Sequence, residues 1–332
     1  MMVLPGILLA QDDEKPTFPL ETIYAKRKPN TIRKVLRHIK FGVSVGAANT
    51  FMAHKLDGFG VLQGNGFQPY IFPADSTGAT FPLYSNWVNT VQTGQQTILP
   101  DSYLVSSDTA KLKFKGNAFN IPLHLTVHYE TEKFRIGGGY GIELMSMGTF
   151  KPKTFSDKIG NFKTTDPAGF MRKYYGYAGY SFYRWNSILF TGLFQLGGYK
   201  PGNNFASGFI TKSLNANIGV VMERNLSENF GLFVKPSFDI KSYQMNLPGS
   251  GGRSIKHNMN ALYLQFGVSY SIPELPKCFH RECKIQMNHA HGNKEYRSRV
   301  HPFYKKQNPH YGENYPELIK YKGKNKKKLN PY

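Results

Sequence analysis

Two groups of residues in this chain have the types and spacing that chemistry needs. In "NAFNIPLHLTVHYE" (117–130), His124, His128 and Glu130 share one row of an alternating segment, a histidine–carboxylate grouping of the kind that moves protons. Near the carboxyl end, Cys278 and Cys283 bracket His280 in "CFHREC", and His289 and His291 follow in "NHAH". Two cysteines and two histidines at this spacing can assemble a Cys2His2 zinc shell, but in an oxidising compartment a short-loop disulfide between Cys278 and Cys283 is the simpler account. The disulfide is the expectation, and no metal or cofactor is assigned. Acyl hydrolysis or transfer would add a nucleophilic serine and an acid to a histidine base. The sequence contains neither a GxSxG elbow nor an HExxH stretch. His54 and His257 fall in long connecting loops, the latter near Ser254. His124 and His128 are read as satisfied interior histidines, so no catalytic residue is assigned and the protein is expected not to be an enzyme.

Strands must position these residues. Eight segments alternate apolar with polar or small residues: "HIKFGVSVGAANTF", "NAFNIPLHLTVHYE", "FRIGGGYGIELM", "KYYGYAGYSFYRW", "NSILFTGLFQLGGY", "SLNANIGVVMER", "NFGLFVKPSFDIKSY" and "NMNALYLQFGVSYSI". The fourth is aromatic on both faces, which leaves its register open. In the second, Phe119, Ile121, Leu123, Leu125, Val127 and Tyr129 form the apolar row. The opposite rows carry His124, His128 and Glu130, then Arg135 and Glu143, then Glu223, then Lys235, Asp239 and Lys241. Apolar rows this bulky would overfill the interior of an eight-stranded barrel, whereas glycines such as Gly137, Gly139 and Gly141 suit a tight one. The apolar rows are therefore expected to face lipid, with the charges pairing inside; a soluble lipocalin-like barrel or sandwich is the competing arrangement.

Connections support the membrane reading. "TEK", "RWNS" and "RNLSEN" are tight, and they alternate with the long segments 52–108, 151–172, 199–213 and 244–258. Tight turns on one side and long loops on the other are the pattern of an outer-membrane barrel. Mean hydropathy of −0.43 does not argue against this, because a barrel strand offers only half its residues to lipid. Uninterrupted apolar windows of the ~18 residues a spanning helix needs are absent from the sequence. The expected organisation is a truncated signal peptide at 1–11, a periplasmic segment at 12–35, an eight-stranded antiparallel transmembrane β-barrel at 36–273 and a basic, mostly irregular periplasmic extension at 274–332. Both termini would be periplasmic. Eight strands leave no aqueous channel, which argues against a porin.

These eight amphipathic strands, with the "FNIPLHL" opening of the second and the glycine–aromatic strands, resemble the OmpA/OmpX-type barrels. They resemble in particular the small outer-membrane barrels of Bacteroidota, including the PorT-like barrels associated with type IX secretion. The resemblance covers about residues 36–273. It implies an outer-membrane location and a barrel fold, not one particular job; a type IX secretion or other outer-membrane machine is favoured through the resemblance alone.

Residues 275–332 carry fourteen Lys or Arg against four Glu, within a chain of net charge +21. Prolines at 302, 309, 316 and 331 prevent long helices. Basic and aromatic residues interleave: Arg297, Arg299, Phe303, Tyr304, Lys305, Lys306, Tyr311, Tyr315, Lys326, Lys327, Lys328 and Tyr332. Solubility needs only the lysines; aromatics with arginine are what interfaces favour. The segment is read as a docking arm for other envelope proteins, against a solvated basic tail or attachment to peptidoglycan or anionic headgroups. Nucleic acid is not expected as a partner. The resulting expectation is a non-enzymatic structural subunit or anchor in contact with outer-membrane lipid; the alternative is a lipid-modifying enzyme or small-ligand binder.

Overall fold

The structure, a computed structural model, describes residues 31–76, 81–94, 101–227, 229–281, 283, 289–291 and 294–297. A short helix, α1 (Thr31–Leu36), leads into eight long strands: β1 (Ile39–Lys55), β2 (Lys113–Glu130), β3 (Phe134–Met147), β4 (Ala168–Trp185), β5 (Ile188–Pro201), β6 (Ile210–Asn225), β7 (Phe230–Asn246) and β8 (Ser254–Ser271). Each pairs antiparallel with its sequence neighbours, and β1 pairs with both β2 and β8, so the sheet closes on itself with no free edge. The strands run 14 to 18 residues, longer than their apolar alternation. The excess lies at the loop end, where outward positions become polar: Lys55, Lys115, Asn117, Lys256 and Asn258 are exposed there.

Phe119, Ile121, Leu123, Leu125, Val127 and Tyr129 all point outward and are exposed, as are Leu262, Leu264, Phe266 and Val268 on β8. From Phe119 to Tyr129, at ~3.3 Å per residue and a tilt of ~40°, this belt is ~25 Å tall, the height of the apolar band of outer-membrane barrels. Tyr129, Phe134, Tyr183 and Trp185 ring its tight-turn rim, and Phe51, Phe119 and Phe170 stand at the other. Such aromatic girdles mark the two membrane interfaces.

The register of β4, open in the sequence, is fixed by its partners. Met171, Lys173, Tyr175 and Tyr177 face inward and are buried, while Phe170, Tyr174 and Tyr180 face out. A register shift between Ser181 and Tyr183 then turns both Phe182 and Tyr183 outward. Such a bulge breaks strict alternation, which is why two aromatic faces were legible and one register was not.

At the loop end, 56–112 forms more than a connection. Its strands Phe59–Gln63, Tyr70–Pro73, Leu83–Ser85, Gln92–Gly94 and Tyr103–Val105 make a separate five-stranded sheet. Leu56, Phe59, Val61, Ile71, Trp87 and Val88 from this head pack with Met52, Phe114, Met145, Tyr243 and Met259 from the barrel mouth into one apolar core.

Candidate functional site

Every interior charge expected from the sequence points into the lumen and is buried: His124, His128, Arg135, Glu143, Glu223, Lys235 and Asp239. A glycine row makes the space. A Cβ on Gly141 would lie 2.5 Å from the His124 ring, and one on Gly139 would lie 2.6 Å from the Tyr175 ring. Only glycine on β3 lets these rings cross the barrel.

The charges sort into two layers. Nearer the tight turns, Lys40 sits 3.0 Å from Glu130 and 3.5 Å from Glu223, while Arg135 pairs with both carboxylates. Ser269 donates to Glu223 at 2.8 Å, and the Tyr177 hydroxyl meets His128 Nδ1 at 2.9 Å. Deeper in, Lys173 contacts Glu143 and Asp239 at 2.5 Å each, and Lys241 meets the same two carboxylates at 3.4 Å. The Tyr263 hydroxyl accepts from both lysines and donates to Glu143 at 2.9 Å. Asn215 donates to Asp239 and Asn120 to Glu143, and Thr50 in turn donates to Asn120. Each layer holds two carboxylates and two cations and is neutral. Neutrality and dense hydrogen bonding, from which only Arg135 Nε is left out among the charged atoms of these layers, are what a buried ionic cluster needs if its desolvation is to be offset.

Lys40, Lys173, Tyr175, Tyr177 and Tyr263 are the members that the sequence reading missed. A signal was present: the inward set named there held four carboxylates but only Arg135, Lys235 and Lys241 as permanent cations. That deficit asked for further lysines on adjacent rows. The open register of β4 hid Lys173, and the tyrosines read as generic strand aromatics. Lys235 is the exception in the other direction. It makes no ion pair or hydrogen bond among the described residues and lines two small cavities, of about 40 and about 10 Å³, together with His124, Tyr175 and Gln195. One water needs ~10–15 Å³, so these spaces suit a few waters rather than a ligand.

His54 and His257 are not loop residues, as the sequence suggested. They face each other across β1 and β8 and are buried in the aromatic core at the barrel mouth. Trp87 donates to His54 Nε2 at 2.9 Å, and Tyr243 stacks on His257 at 4.5 Å. The strands outrun the alternating pattern by several residues, and that extension carries both histidines. The remaining long segments are knitted to the head. Asn86 bonds Thr165 at 2.5 Å, Asn89 bonds the Asp166 carbonyl at 2.8 Å and Tyr84 bonds the Pro248 carbonyl at 2.6 Å. Burial pushes the Tyr84 phenol up, and Arg253, 2.5 Å from Asp75, holds that carboxyl below its ordinary range. Asn86 takes a left-handed φ of 53° to aim Trp87 inward, a conformation that asparagine tolerates better than most residues.

At the opposite end, the expected Cys278–Cys283 disulfide is not what the structure contains. No disulfide joins the two cysteines, and each sulfur contacts an imidazole instead: Cys278 Sγ lies 3.3 Å from His291 Nε2, and Cys283 Sγ lies 3.1 Å from His289 Nε2. The four donor atoms lie within 4.8 Å of one another. Partial burial, and then the neighbouring His280 and His289, lower the pKa of His291. Of the docking-arm residues, Arg297 is described. Its backbone accepts from Cys278 N–H at 3.1 Å and donates to the Pro276 carbonyl at 2.9 Å. Arg299, Phe303, Tyr304, Lys305, Lys306, Tyr311, Tyr315, Lys326, Lys327, Lys328 and Tyr332 lie outside the described residues, as does the signal-peptide region 1–11.

An edgeless sheet with an apolar belt, aromatic rims and an ionic interior defines a transmembrane β-barrel of the small, eight-stranded class. Among the described residues no helix is long and apolar enough to cross a membrane; crossing is by strands. Neither a family model nor a curated protein matches the sequence. Among solved structures, the chain is similar to the outer-membrane protease OmpT of Escherichia coli, at 12% identity and a TM-score of 0.33 over 70% of this chain and 96% of that one. It is also similar to the outer-membrane protein OprG of Pseudomonas aeruginosa, at 8% and 0.32 over 71% and 98%. A third is the attachment invasion protein Ail of Yersinia pestis, at 13% and 0.25 over 70% and 99%. At TM-scores this low, the fold assignment rests on the strand pairing itself.

Proposed function

We propose that the protein is a non-enzymatic outer-membrane barrel that serves as a structural subunit or anchor of an envelope or secretion assembly, holding partners through its basic carboxyl-terminal arm. One observation carries this reading: the lumen is blocked along its length, leaving only two water-sized cavities among the described residues. Two neutral ionic layers occupy its middle, and an aromatic core joined to the loop head closes its mouth. What remains for recognition is the surface of the head and whatever leaves the barrel at the tight-turn end. His124 and His128 are buried at belt height against Tyr175 and Tyr177, a setting that favours fixed interior partners over substrate access. Closed antiparallel barrels with an even strand number are the spanning sheets of bacterial outer membranes, where the tight turns, and with them both termini, face the periplasm. The arm's excess of lysine and arginine suits an acidic protein face there.

The test is affinity purification from cells in mild detergent, comparing the full chain with a chain lacking 275–332. The proposal expects a stoichiometric envelope partner that co-purifies with the full chain and is lost on truncation, while the shortened barrel still folds. Identical partners with and without the arm, or none with either, would overturn it.

A further inference from the structure

The four-residue cluster just beyond the barrel is built as a metal site. Its scaffold is a small β-hairpin in which His289–His291 pairs antiparallel with Lys294–Tyr296. The chain around Lys277 runs parallel beside Arg297, held by the bonds from Cys278 N–H to the Arg297 carbonyl and from Arg297 N–H to the Pro276 carbonyl. This lays Cys278 beside the hairpin. Residues two apart on a strand point to one face, so His289 and His291 present both imidazoles together. A turn closed by Cys283 N–H to the His280 carbonyl, at 3.3 Å, brings the second sulfur back to the same face. Three backbone devices thus bring the four ligands together: the hairpin strand both histidines, the parallel pairing Cys278 and the turn Cys283.

The distances lie close to those of a specific coordination, with the four donors needing to move by a few tenths of an ångström to about 1 Å to close on an ion. A tetrahedral zinc ion with Zn–S of ~2.3 Å and Zn–N of ~2.0–2.1 Å sets its donor atoms ~3.3–3.8 Å apart. Here the two sulfur–nitrogen contacts are 3.3 and 3.1 Å, and His289 Nε2 stands 3.1 Å from His291 Nε2. All the donors come within 4.8 Å. A hydrogen-bonded pair brings two donor atoms together; it does not bring four to one point. Among its described residues the unit also lacks the core that would hold it otherwise. Phe279 and Tyr296 are the large apolar side chains among its described residues, and Phe279 is 61% exposed, while Cys278 is 3% exposed. Units this small depend on a staple, either a disulfide or a metal, and the sulfurs here face imidazoles.

We propose that Cys278, Cys283, His289 and His291 bind one zinc ion in a closed, four-coordinate structural site that fixes the root of the carboxyl-terminal arm. Two thiolates and two neutral imidazoles neutralise the ion, and the two thiol protons leave to solvent on binding. Four protein ligands leave no open position, so the site is structural rather than catalytic.

The full-length chain, purified in detergent with reductant and stripped with chelator, is loaded with zinc, desalted and assayed for metal by mass spectrometry. The expected result is ~1 zinc per chain, with both thiols protected from alkylation and with cobalt giving the visible absorption of a tetrahedral thiolate complex. Cys283→Ser and His291→Ala each lose the bound ion and the cobalt spectrum while the barrel's circular dichroism is unchanged. A wild-type chain with free thiols that retains no zinc would overturn the proposal. So would zinc retained equally by both variants, which would place the metal elsewhere, or a Cys278–Cys283 disulfide in chain isolated from cells lysed in alkylating buffer.

Discussion

Arginine scanned down the outward row of β2 tests the membrane placement at its root. Asn117, Leu123, Leu125 and Tyr129 all point outward from one strand and are exposed, so none of these substitutions disturbs the lumen. Only their depth differs. Leu123 and Leu125 straddle the centre of the Phe119–Tyr129 belt, Tyr129 stands at the tight-turn rim and Asn117 lies beyond the opposite rim. Arginine at the midplane of a barrel costs ~2–4 kcal/mol, falling to ~0–1 kcal/mol at the interfaces. At 1.4 kcal/mol per decade, Leu123→Arg and Leu125→Arg should each lower the folding equilibrium constant by ~30- to 700-fold. Tyr129→Arg and Asn117→Arg should change it by less than ~10-fold. The assay is reversible denaturant unfolding of the protein in phospholipid vesicles, followed by tryptophan fluorescence and fitted with a common slope. A profile peaking at 123–125 fixes the belt in hydrocarbon. In a water-soluble barrel, replacing an exposed leucine by arginine would be neutral or would improve solubility, so a flat or inverted profile would refute the placement.

Three further substitutions probe the interior. Glu143→Gln leaves Lys173 and Lys241 with a single carboxylate, Asp239, between them, and should destabilise the barrel by ~3–5 kcal/mol in the same vesicle assay. Lys235→Met removes a buried cation that makes no ion pair or hydrogen bond among the described residues, and should raise stability by ~1–3 kcal/mol; destabilisation would show that its longer-range attraction to Asp239 outweighs its burial. Trp87→Ala should weaken the head by ~3–5 kcal/mol, read as faster proteolysis within 56–112 while the barrel's unfolding midpoint stays near wild type.

Much of the barrel was legible because its two faces meet different solvents over a long, regular stretch. Phe119 to Tyr129 against His124 to Glu130 is a period-two signal with no competitor, and the alternation of tight and long connections gave the topology. Legibility failed where that contrast faded. Beyond the aromatic rim both faces of a strand meet either water or the head, so Lys55 and Lys256 read as loop, Lys115 falls outside the alternating segment, and the strands read short. His54 and His257 were misplaced for the same reason. The head sheet was missed because its strands are 3 to 5 residues long and gain their stability from the barrel mouth rather than from their own pattern. In the sequence the cysteine–histidine cluster favours a disulfide over a metal. Spacing alone could not show that a hairpin aims both imidazoles at the sulfurs.

The tight-turn end carries a consequence for how an arm could act. Helix α1 enters and β8 leaves at this end. His38 lies within 3.1 Å of the Glu130 carbonyl, and Arg37 pairs with Glu274 at 2.6 Å. Both partners of that ion pair are substantially exposed, which limits it to ~0–1 kcal/mol, too little to fix the direction of a long segment. Few residues separate the last paired residue of β8, Ser271, from Cys278. Pro273 and Pro276 restrict the backbone between them. A rigid knot at this point, rather than the ion pair, would set where residues beyond Arg297 begin their path. An arm with a fixed root loses less entropy on docking than one free from Ser271 onward, because the knotted residues are ordered before the partner arrives. On the proposed function, the closed barrel would supply position, the hairpin direction, and the basic residues beyond it contact. On this division of labour, breaking the hairpin weakens docking without removing a single basic or aromatic contact.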